Sequence, residues 1–87
     1  MKEKFYVITF PTTHHALKFE QFIKEKGFNS RLIPVPREIS SSCGLAARFE
    51  EDNLHEISQL VKANSIEYES LYFIDRTSNK KPEKTDF

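Results

Sequence analysis

Cysteine occurs once in the 87 residues, at Cys43. One thiol cannot close an internal disulfide, and a lone thiol fits a reducing cytoplasm. Glycine is nearly as scarce, with Gly27 and Gly44 the two instances. Charge of one sign is also missing. Thirteen basic residues offset thirteen acidic ones, for a formal net charge of zero. A nucleic-acid binder usually carries a basic excess, so nucleic acid is not an expected partner. No apolar run approaches the roughly 20 residues that cross a bilayer. The opening Met1-Lys-Glu-Lys lacks the apolar segment and small-residue cleavage site of a secretory signal. The expectation is a cytoplasmic protein with no membrane partner.

What is present is aromatic and patterned. Eight Phe and three Tyr suggest an aromatic core or an aromatic face awaiting a partner. Lys4 to Phe10 is an apolar run closed by Pro11 and reads as a strand. Thr12 or Thr13 supplies an N-cap hydroxyl. From His14 to Lys26, Ala16, Phe19, Phe22 and Ile23 fall at helical spacing, and Gly27 is the stop. Ser30 to Pro36 reads as a second strand, whose prolines place it at a sheet edge or end its pairing early. A polar loop, 37–42, leads to a third strand, Gly44 to Glu50, whose small residues suit a central position beneath a helix. Asp52 is a candidate cap for a second helix carrying Leu54, Ile57, Leu60 and Val61. Tyr68 to Ile74 is a fourth strand. The polar, aperiodic residues 76–87 read as a disordered tail. The expected organisation is one domain over 1–75 followed by that tail.

The order β-α-β-β-α-β predicts a ferredoxin-like α+β fold, a four-stranded antiparallel sheet with both helices on one face. That topology brings the end of strand one, with His14 and His15, to the same rim as the loop Arg37-Glu38-Ile39-Ser40-Ser41-Ser42-Cys43-Gly44. A helix N-terminus carries about half a positive charge and favours a thiolate. Arg37 adds a full charge, and the Ser40, Ser41 and Ser42 hydroxyls offer donors. Gly44 lets the backbone turn or approach where a Cβ would clash. Cys43 is thus expected as an exposed, nucleophilic thiol, with His14 or His15 as proton acceptor. The plain alternative is a buried, inert cysteine. Adjacent helical residues point about 100° apart, so one imidazole at most faces Cys43. A metal site needs three or four ligands, and only Cys43, one His and Glu38 are at hand. No metal and no cofactor are therefore expected. His55 reads as surface.

Alternation separates Phe5 and Val7 from Tyr6, Ile8 and Phe10 in strand one, and Tyr68, Tyr72 and Ile74 from Leu71 and Phe73 in strand four, so both faces of these strands are apolar. Helices cover one face only, so the other is expected to be open and to bind a second copy or another protein. A non-catalytic interaction or regulatory module acting through that face is the rival functional reading.

The stretch Tyr6-Val-Ile-Thr-Phe-Pro-Thr-Thr-His-His-Ala16, the segment Leu32-Ile-Pro-Val-Pro-Arg-Glu-Ile-Ser-Ser-Ser-Cys-Gly-Leu45 and the total length resemble the putative selenium/sulfur carrier protein-like family of small bacterial domains, over roughly residues 4 to 75. The resemblance implies carriage of sulfur or selenium on a cysteine, which here is Cys43, between donor and acceptor proteins. With no second cysteine, release requires an external thiol or an acceptor enzyme.

Overall fold

The computed structural model describes residues 3–78 and 80–87. Met1 and Lys2, part of the opening segment read above, and Asn79, part of the polar tail, lie outside the described residues.

The elements follow one another as β1 (Lys4–Thr9), α1 (Thr13–Glu25), β2 (Arg31–Pro34), β3 (Leu45–Glu50), a 3-10 turn (Glu51–Asn53), α2 (Leu54–Ala63), β4 (Ser70–Asp75) and β5 (Glu83–Thr85). The fold is small α+β, with two helices and one five-stranded antiparallel sheet in the order β2-β3-β1-β4-β5. The expectation of four strands is corrected by β5. Leu71, Tyr72 and Phe73 of β4 pair with Thr85, Lys84 and Glu83, in the segment read from sequence as a disordered tail. The pairing needs only backbone groups. Phe87 then stacks on Phe49 at 6.3 Å and meets Tyr68 edge-on at 5.3 Å.

Helix α1 presents Ala16, Phe19 and Ile23 inward, and α2 presents Ile57 and Val61. They pack with Ile8, Phe10, Ala47, Phe49 and Leu71 into the main core, so both helices lie on one sheet face. Gly27 ends α1 at φ +87°, a left-handed value that glycine adopts without strain. Its flanking bonds close the end: Gly27 N–H to Lys24 O and Phe28 N–H to Ile23 O, both 3.1 Å. Helix α2 grows out of the 3-10 turn, and its cap residue Asn53 makes no side-chain capping bond. The expected cap, Asp52, lies instead inside that turn. Acidic Glu51, Asp52 and Glu56 there still favour the positive helix end.

The second face is not open. Phe5, Val7, Ala46 and Ile74 form a separate buried cluster with Ile39, and Ile33, Val35 and Tyr72 pack around it. Ile39, read as part of a polar loop, folds back across the sheet and is 5% exposed. The Arg48 guanidinium lies 3.8 Å from the Phe5 ring centroid and that of Arg76 at 5.4 Å, a cation–π arrangement that covers the ring further. The expected apolar docking face for a second copy is thus filled by the chain's own β2–β3 loop. No described helix is long and apolar enough to cross a membrane.

Candidate functional site

Antiparallel pairing fixes what meets at one rim of the sheet. Strand β1 ends at Thr9, beside the start of β4, where the Glu69 N–H donates to Thr9 O at 2.7 Å. The chain then turns into α1. Thr12 takes an extended conformation (φ −143°, ψ 161°) and caps the helix, accepting the His15 N–H at 3.3 Å. Between β2 and β3, the Val35 N–H donates to Gly44 O at 3.1 Å and closes the base of the loop. The Ile39 N–H donates to Pro36 O at 3.0 Å and forms a turn in its first half. Cys43 therefore stands just inside the loop's closing pair, opposite the first residue of α1.

The sulfur has two polar neighbours among the described residues. The Leu45 N–H donates to Sγ at 3.3 Å, and the Thr13 hydroxyl lies 3.5 Å from it, with either atom able to donate. The Cys43 N–H donates to Ser41 Oγ at 3.2 Å. The backbone N–H is the one fixed donor of the two, since the Thr13 hydroxyl can either give or take the bond. Cys43 joins neither apolar cluster. It is nonetheless 7% exposed, which corrects the expectation of an exposed thiol. Thr13 and the folded loop shield the sulfur, while Ser42 and Gly44 on either side remain exposed.

What shuts the loop is a residue that sequence reasoning passed over. The Glu69 carboxylate accepts the Ser42 hydroxyl at 2.6 Å and the Ser42 N–H at 3.2 Å, one on each oxygen. The Ser42 hydroxyl is the main reason that the Glu69 carboxyl titrates below its ordinary value. Desolvation opposes it, and the Ser42 N–H and the Ser41 and Thr9 hydroxyls add to the lowering. Register carried the only sequence signal: if strand four pairs with strand one, the residue before it must lie beside Thr9.

The remaining expected site residues are placed as follows. His15 does not reach the sulfur. Its Nδ1 lies 2.7 Å from the Thr12 hydroxyl and its Nε2 3.1 Å from Glu67 Oε2, so Glu67 is the carboxylate beside this imidazole. With side-chain exposures of 31% and 72% for His15 and Glu67, this pair is a surface contact of small worth. His14 is exposed and packs edge-on against His15 at 6.3 Å. Arg37 and Ser40 are exposed in the loop, and no hydrogen bond joins either to Cys43. Ser41 and Ser42 are used within the loop and its clamp. A Cβ at Gly44 would meet nothing within 4 Å, so the expected steric need for glycine there is absent. His55 is exposed and 3.2 Å from Gln59 Nε2. No group of three His, Cys, Asp or Glu side chains that could hold a metal occurs among the described residues.

No curated protein and no solved structure matches the chain. The model of the family described as "Putative Se/S carrier protein-like" matches residues 5–73, a span that runs from β1 into β4 and contains the whole rim. On that match the chain belongs to this family.

Proposed function

We propose that the protein carries sulfur or selenium on Cys43 and passes it between partner proteins. The observation that carries the reading is the sulfur's setting: the chain's single thiol, at the first residue of α1, with the Leu45 N–H and the Thr13 hydroxyl aimed at it. Family membership supports the chemical class of the cargo. The order β2-β3-β1-β4, with both helices on one face, supports reading the frame as ferredoxin-like with one added edge strand.

The transfer balances without an external oxidant. The Cys43 thiolate attacks the outer sulfur or selenium of a persulfide or perselenide on the donor protein. The donor's own bond to that atom breaks, its cysteine leaves as thiolate, and the new bond forms on Cys43 Sγ. The acceptor repeats the step in reverse. The incoming thiolate charge is met by the Leu45 N–H and by the positive end of α1. Thr13, rather than an imidazole, is the side chain on the sulfur; His15 is engaged by Thr12 and Glu67. Arg37 and Ser40, exposed on the same loop, are the groups a docking partner meets first.

Incubation with a cysteine desulfurase and cysteine tests the reading. The intact protein is expected to gain roughly 32 Da, one sulfur atom on the cysteine oxidation ladder. Dithiothreitol should remove the gain, and Cys43→Ser should not show it. A wild-type protein that stays at its original mass, with the desulfurase shown to be active, overturns the reading.

A further inference from the structure

A carrier must show its sulfur to two partners, yet this sulfur is covered. Its cover is a hairpin loop with few ties to the rest of the molecule. The Cys43–Ser41 and Leu45–Cys43 bonds lie within the hairpin and move with it. Among the described residues, the side-chain ties from 40–44 to other elements are the Thr13 contact with Sγ, the Ser42 pair with Glu69 and the Ser41 hydroxyl on the same carboxylate. Ile39 anchors the far half of the loop in the second apolar cluster. The near half, 40–44, is therefore held chiefly by one carboxylate. That carboxylate stands on fixed backbone, because the Glu69 N–H is bonded to Thr9 O at 2.7 Å. It is itself exposed.

We propose that Glu69 is a latch: by gripping the Ser42 hydroxyl and N–H it holds segment 40–44 closed over the Cys43 thiol, and its release presents the thiol to a docking partner. A Lys or Arg of that partner, pairing with the exposed carboxylate, competes directly with Ser42 and opens the loop on contact. Glu69 is thus a positioning residue that acts through Ser42. The identity of what is presented rests on the carrier reading; the closing itself does not.

The test compares alkylation of Cys43 by iodoacetamide, at one pH and in excess reagent, across the wild type, Glu69→Ala, Ser42→Ala and Ser42→Thr, read by mass. Loss of both bonds to the carboxylate in Glu69→Ala should raise the rate about fivefold to tenfold, and loss of the hydroxyl alone in Ser42→Ala about twofold to threefold. Ser42→Thr, which keeps both donors, should stay within about twofold of wild type. Amide exchange at Ile8 and Ala47, in the main core, should be unchanged in each variant. Equal alkylation rates in wild type, Glu69→Ala and Ser42→Ala overturn the latch. So does a rise matched by equally faster exchange in the core, which marks global loosening. Ser42→Ala, a change on an exposed loop residue, keeps the test decisive if Glu69→Ala fails to fold. Failure of the carrier reading shows separately, as absent mass gain from the desulfurase with the alkylation differences intact.

Discussion

Ser65 holds φ +50° at the end of α2, the position that Gly27 fills after α1. The Ile66 N–H donates to Val61 O at 3.1 Å across it, so the left-handed turn is built into the helix stop. A serine there bears a Cβ clash worth roughly 1–2 kcal/mol, partly offset because glycine loses more freedom on folding. Ser65→Gly should therefore stabilise the protein by about 0.5 kcal/mol, read as a melting temperature higher by about 2–4 °C. Glu69 gives the corresponding electrostatic prediction. Its folded pKa lies below the ordinary value near 4.3, through the Ser42 hydroxyl first. A depressed carboxyl contributes stability that is present above the unfolded pKa and is lost as pH falls through the folded one. Asp75, lowered chiefly by the Thr77 hydroxyl, acts in the same direction. Between about pH 5 and about pH 3, wild type should lose stability more steeply than Glu69→Gln, as urea midpoints will record. Parallel pH curves would contradict the assignment.

At the scale of elements, the load falls on α1 and on the C-terminal strand. Phe19 is 1% exposed and stacks on Phe10 at 5.3 Å. Phe19→Ala should cost about 3–5 kcal/mol, a large share of the stability of a domain this size, and calorimetry should find it close to unfolded at room temperature. Phe87→Ala should cost about 1–2 kcal/mol by losing its ring contacts with Phe49 and Tyr68, and should leave β5 exchanging its amides freely. These two residues also mark what could be read in advance. The α1 stripe was legible because burial against a sheet enforces helical spacing, and Phe19 lies on it. Pro34, with no N–H to donate, left β2 either at an edge or cut short, and the sheet order puts it at the edge. Strand β5 was not: Glu83-Lys-Thr85 shows no alternation, since its pairing uses backbone alone. Ile39 was hidden for a similar reason, a single apolar residue in a polar loop having no period. The rim was legible from topology. The cover over Cys43 was not, because it depends on Glu69, which lies 27 residues from Ser42 in the chain.

For the molecule as a whole, the two apolar clusters have different roles. The larger one joins helices to sheet and sets the frame. The smaller one, centred on Phe5, Val7, Ala46 and Ile74, is sealed by Ile39 and anchors the loop whose other end carries the thiol. The face expected to be open is occupied instead by the chain's own loop residue Ile39. A carrier must hold a transferable chalcogen atom on Cys43, and cyanide measures that atom directly. Cyanide removes the outer sulfur of a persulfide as thiocyanate and returns the thiolate. Protein loaded by a persulfide donor and freed of small thiols should release about one equivalent of thiocyanate per chain, in the persulfide chemistry of cysteine, and Cys43→Ser should release none. Thiocyanate at background from loaded wild type, or equal release from Cys43→Ser, would contradict the carrier reading.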